Sequence, residues 1–269
     1  MNQTLTPGSA FTLILVSILL AFLSGSIILG FGASYLPENS QNSLIFISMV
    51  VGQTIMVIPL LFYLYTNNES ILDRVRLKPV STHIIAATVI FSIGVIIIGD
   101  EIDRIVAIIL PQPDFFRLLS EQLKIQSLPS AIIMTLLVVF LAPFVEEIIF
   151  RGFLQKFLEE RWRDITRAVL VTSLFFAVIH LNPFWLIQIY FLGLILGYLA
   201  WFTGSIFPPL ILHAVNNAFA LSLENIPAGI LPLYAWRGHV SPLFLGIAVI
   251  LTILGYKMLH AAAHRMEGR

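Results

Sequence analysis

Two adjacent glutamates, Glu146 and Glu147, stand with Arg151 in the otherwise apolar stretch FVEEIIFRGF at 144–153. The fifteen residues before them, Ala131 to Val145, hold no charge and a single hydroxyl, that of Thr135. An ionisable side chain at the centre of a membrane helix costs about 2.5–3.5 kcal/mol on insertion scales, so it usually marks a function or a buried pair. Two more polar clusters break apolar runs. His180 closes LVTSLFFAVIH, and His213, Asn216 and Asn217 lie in PPLILHAVNNAFAL.

Helix geometry separates the two glutamates. Glu147 precedes Arg151 by four residues, the favoured orientation for a helical ion pair. Glu146 is five residues from Arg151, about 140° around the helix, and faces elsewhere. A desolvated glutamate without a partner is pushed towards the range of a general base. Glu147 and Arg151 then read as support and Glu146 as the reactive group. The alternative is that all three sit at a helix end among lipid headgroups. A turn at Arg163–Asp164 would leave Glu146 and His180 nearly equidistant from it, at one depth in an antiparallel hairpin. A carboxylate and an imidazole so placed can activate water. Pro143 removes a backbone hydrogen bond nearby and could open room for that water. His213 and Asn217, four apart, share a face and suit an oxyanion hole. Asn216 points away, towards helix packing. Straight helices would separate His213 from His180 by more than about 10 Å in depth, so a tilt or a break near Gly204 and Pro208–Pro209 is needed to join them.

The elements that must position these residues are membrane spans. The chain of 269 residues is 58% hydrophobic and 11% charged, against about 25% charged in soluble domains, and its mean hydropathy is +0.93. Apolar runs at 10–31, 43–65, 83–99, 131–150, 167–181, 184–202, 206–223 and 240–258 predict an all-α polytopic protein with about eight spans. The site would come from the fourth, fifth and seventh. The expected organisation is one integral membrane domain in three parts: N-terminal helices and an interfacial amphipathic segment (1–129), a catalytic core (130–223), and a last span with a basic tail (224–269). The amphipathic segment is PQPDFFRLLSEQLKIQSLPS at 111–130. Alternate loops carry ten and four Lys or Arg, a bias that places both termini in the cytoplasm. No Lys or Arg precedes the first apolar run, so a cleaved signal peptide is not expected. Zero net charge gives no basic field for nucleic acid, and the absence of cysteine removes thiolate chemistry. GDEIDR at 99–104 reads as a solvated helix end, and His83 and His239 as residues at span edges.

Glu146-Glu147-x-x-x-Arg151, Phe176-x-x-x-His180 and His213-x-x-x-Asn217 resemble, in order, the three motifs of the CPBP intramembrane proteases. That family includes the type II CAAX prenyl endopeptidases and bacterial proteins described as abortive-infection proteins. The resemblance covers about residues 130–222. It implies that Glu146 and His180 activate water, that His213 and Asn217 form the oxyanion hole, and that Glu147 and Arg151, with Phe176 packed around His180, hold the site. It also implies a membrane-associated and in some cases lipidated peptide substrate, and a bacterial or archaeal plasma membrane.

No cofactor is expected. Zinc held by Glu146, His180 and His213 is the less favoured alternative, since there is no His-Glu-x-x-His and the only i, i+4 histidine pair is His260 and His264. Two functions of other classes stay open beside the endopeptidase: a silent membrane scaffold or regulator, and a small transporter relaying protons or ions. A transporter should show related halves or paired broken helices, and the sequence offers neither clearly.

Overall fold

The computed structural model describes all residues except 1–4, 38–40, 112, 114–123, 126, 228 and 268–269. Most of the expected amphipathic segment at 111–130 therefore lies outside the described residues. Most of the rest is helical: α1 (Pro7–Tyr35), α2 (Gln41–Thr66), the short α3 (Ile71–Arg74) and α4 (Thr82–Ile109). The continuous α5 (Leu128–Trp162) follows, then α6 (Ile165–Val178), α7 (Leu186–Thr203), α8 (Phe207–Asn225), α9 (Leu231–Tyr234) and α10 (Pro242–Glu267). Side-chain caps set several starts. Thr6 accepts from Ser9 N, Ser81 from Ile84 N and Asp164 from Arg167 N, while Ser127 and Ser130 form a capping box at α5, each relieving an orphan amide of the first turn.

Six helices, α1, α2, α4, α5, α7 and α10, are long and apolar enough to cross a membrane among the described residues. The eight-span expectation is not met by that measure. All eight apolar runs form helices, but α6 has 14 residues, about 21 Å against a hydrocarbon core of about 30 Å. The eighth helix carries His213, Asn216, Asn217, Glu224 and Asn225, which dilute its apolar character.

The fifth helix is the axis of the molecule. It departs twice from α-helical winding, with π-helical turns over Thr135–Leu141 and Ile148–Gln155 on either side of the segment Ala142–Glu147. Such turns are uncommon and occur most often at functional sites. Every residue of Ile148–Gln155 is buried. Phe150, Phe153, Leu154 and Leu158 pack with Ala10, Ile14 and Ile18 of α1, Met56, Leu60 and Leu64 of α2, and Ala168 and Phe176 of α6. Residues on both sides of position 129 thus share one core. A second core joins α4, α7 and α10 through Ile84, Phe91, Leu196, Leu199 and Leu259.

The loop after α3 closes over the second π-helical turn. Buried Arg76 pairs with Glu159 and donates to Arg151 O, and Arg76 O accepts from Ile206 N. Gly152 permits this approach, because a Cβ there would stand 2.6 Å from Val75 O. Gly152→Ala should cost about 1–3 kcal/mol through the forced backbone shift. Unfolding of the purified variant in denaturing detergent measures it, and unchanged stability would mean that the loop does not seat against the helix as described.

GDEIDR is not a freely solvated end. Asp100 accepts from Arg104 Nε and from Tyr234 OH, each at 2.8 Å. Glu101 accepts from Val240 N and pairs with His239 Nδ1, each at 2.7 Å. These bonds dock a small antiparallel hairpin, β1 (Ala235–Trp236) and β2 (His239–Val240), on the end of α4. Its turn residues Arg237 and Gly238 both have positive φ, the geometry that suits a two-residue hairpin. Burial, and then the bond to Asp100, push the Tyr234 hydroxyl above its ordinary range.

Candidate active site

The site starts from the segment between the two π-helical turns. Ala142 N bonds to Leu137 O, five residues back. In that winding the carbonyl of Val138 would be served by residue 143, which is proline and has no N–H. Asn217 of α8 takes up the freed carbonyl, its Nδ2 donating to Val138 O at 2.9 Å. The expectation that Pro143 opens local space therefore has a different outcome, a tether between α5 and α8. Asn216, expected to point away, donates to Asn217 Oδ1 at 3.2 Å.

Glu147 and Arg151 are both fully buried and paired, Arg151 Nη1 donating to Glu147 Oε1 at 2.9 Å. Their i, i+4 spacing survives the π-helical turn. The same oxygen receives His213 Nδ1 at 2.8 Å. Arg151 also reaches Gly193 O on α7 at 3.5 Å and lies over the Phe176 ring at 4.1 Å. Phe176, itself buried, meets the rings of His180 and His213 edge-on, with centroids 4.8 and 5.8 Å away. One aromatic ring thus sets the positions of an arginine and two histidines.

Glu146 stands outside the Glu147–Arg151 pair. Its Oε2 is buried with no hydrogen-bond partner among the described residues, and His213 Nε2 is 3.8 Å away. Glu146 and His180 line one cavity of about 420 Å³, walled by residues of α1 and α2 with Ile179. His213 and Asn217 do not line it; His213 approaches Glu146 from α8. The depth offset expected of straight helices does not keep the two histidines apart, since the rings of both lie against Phe176. His180 follows the last turn of α6, with Leu181 at φ 53, and Asn182 Oδ1 accepts Phe184 N to close the loop. His180 Nδ1 bonds to Phe176 O at 2.7 Å; a carbonyl only accepts, so Nδ1 carries a proton, and in the neutral ring the lone pair is on Nε2.

Among the described residues no three His, Cys, Asp or Glu side chains are grouped to hold a metal ion. His83 is exposed, and His260 Nε2 bonds with Tyr198 OH at 2.9 Å.

Fold and site define a helical multi-pass membrane protein in which a carboxylate and an imidazole line one cavity between helices. Residues 128–219 match the family model described as type II CAAX prenyl endopeptidase Rce1-like, and this stretch is similar to the CAAX-protease family that the three motifs resemble. That family is one of proteases. No curated protein and no solved structure matches the chain.

Sequence reasoning missed Gln53, whose side chain lines the cavity from α2. Its one signal is a carboxamide inside the apolar run VVGQTIMV. Gln155 was missed as well. It is fully buried and ties α5 to α7 through Gly197 O at 2.8 Å.

Proposed function

We propose that this protein is an intramembrane endopeptidase that hydrolyses a membrane-associated peptide with water activated by Glu146 and His180. The observation that carries the reading is the joint exposure of Glu146 and His180 to one cavity within a stretch that matches a protease family. Glu146 takes a proton from water while the unprotonated Nε2 of His180 orients it, and the resulting hydroxide attacks the scissile carbonyl carbon. The carbonyl oxygen becomes an oxyanion, stabilised by Nε2–H of His213 and the second N–H of the Asn217 amide. Because His213 Nδ1 faces Glu147 Oε1, donation from both ring nitrogens requires the imidazolium form in that step. Collapse of the tetrahedral intermediate breaks the C–N bond, and the proton held by Glu146 passes to the leaving amine. Glu147, Arg151 and Phe176 keep the histidines in place. No step in this scheme needs a metal.

The substrate class we assign is a membrane-anchored peptide, lipidated or not. We place the catalytic core at 130–223, with both termini in the cytoplasm and no nucleic-acid partner. The test is cleavage of an anchored peptide panel, prenylated and unprenylated, by purified protein in lipid nanodiscs, read by mass spectrometry. The expected result is a single new terminus in at least one peptide. A wild-type protein that cleaves nothing in the panel, while His213→Ala still abolishes a cellular phenotype, would favour a scaffold or regulator instead.

A further inference from the structure

Gln53 lies on α2, remote in sequence from the three motifs, yet it shares the cavity with Glu146 and His180. Its Oε1 is buried with no hydrogen-bond partner among the described residues, as is Glu146 Oε2. Most of the remaining wall is apolar or small: Ile18, Ala21, Gly25, Gly52, Met56 and Ile179. Ser48, also on the wall, turns its hydroxyl back to Ile45 O at 2.8 Å and has no proton left to offer. Buried polar groups in native proteins have partners, and an orphan asks for a reason. The cavity, about 420 Å³, falls within the range of small-ligand sites, about 300–1,000 Å³.

We infer that Gln53 is a substrate-binding residue whose carboxamide hydrogen-bonds a backbone peptide group next to the scissile bond. A carboxamide offers one acceptor and two donors, which complements the N–H and C=O of a peptide unit. An extended peptide entering an apolar cavity leaves its own backbone groups without water, and each lost hydrogen bond is costly there. Gln53 supplies one of the few polar contacts that this wall can give. The inference rests on the endopeptidase reading for the identity of the ligand.

Gln53→Met keeps the length of the side chain and removes both hydrogen-bonding functions. If Gln53 serves the fold, the variant loses stability. If it serves substrate, the variant is as stable as the parent or more so, because a buried orphan has been removed. Binding is read in nanodiscs in the slowed Glu146→Gln background, before cleavage proceeds. The probe is an anchored peptide ending in a farnesylated CAAX sequence, in all-amide form and as a series with one backbone amide at a time replaced by ester. Gln53→Met should weaken binding of the all-amide peptide about tenfold, the scale of one buried hydrogen bond. The peptide with ester at one particular position should bind equally to the parent and to the Gln53→Met protein. Uniform affinity for every probe in both proteins, reduced stability of Gln53→Met, or no binding of the all-amide peptide would each overturn the assignment. Coupling at one ester position without cleavage by wild type would keep the Gln53 contact and sink the protease reading.

Discussion

Glu146→Gln lowers the cleavage rate by about 10²–10⁴-fold, the usual contribution of a positioned general base, and leaves the fold intact. The carboxamide has the shape of the carboxylate but cannot accept the proton of water. Glu146 takes no part in the buried Glu147–Arg151 pair, and its Oε2 has no hydrogen-bond partner among the described residues, so no hydrogen bond of that oxygen is broken and only its charge beside His213 Nε2 is lost. The loss should fall on kcat with KM little changed, the pattern of an interaction made only in the transition state. His180→Ala should cost a similar factor, and the double variant little more than either single one, because both groups act on one water. Single-turnover rates with the peptide cleaved by wild type decide the matter. If Glu146→Gln retains more than about a tenth of the wild-type rate, well short of a general-base effect, Glu146 is not the base.

The parts of this site that were legible in sequence are those that local spacing dictates. Glu147 and Arg151 are separated by one helical turn, and they pair. The turn at Arg163–Asp164 was readable from the charged break between apolar runs, and Arg163 takes a left-handed backbone there while Asp164 caps α6. What pattern could not give is the winding of α5. Pro143 announces a missing hydrogen bond, but the choice between a kink, a water and a π-helical turn depends on which neighbour can serve the orphan carbonyl. Asn217 serves it, from a helix some 80 positions away in sequence. Depth was similarly obscured. The run at 167–181, already short in sequence, becomes the 14-residue α6, and the meeting of His180 and His213 at one aromatic ring depends on packing between helices that no local pattern specifies. Charge alone misled at GDEIDR, where Asp100 and Glu101 hold a hairpin that no alternation pattern announces.

Arg151→Met should be the most destabilising single change at the site, by about 3–5 kcal/mol, because it leaves a buried charge without its partner. Glu147 and Arg151 have no exposed surface, so water cannot take the place of the lost guanidinium. The substitution also removes the contact of Arg151 over Phe176, which orients both histidines, and the bond to Gly193 O on α7. Replacing both members, Glu147→Met with Arg151→Met, should recover most of the stability, since an apolar pair of similar volume often matches a buried ion pair. Activity should not return with it. His213 Nδ1 loses its acceptor, Glu147 Oε1, and the ring is then free to turn its Nε2 away from Glu146. Unfolding in denaturing detergent, run beside the cleavage assay, separates the two effects. A double variant that is folded and inactive assigns the pair to positioning His213 as well as to holding the helices. Single Arg151→Met protein as stable as wild type would show that the pair does not hold the site together.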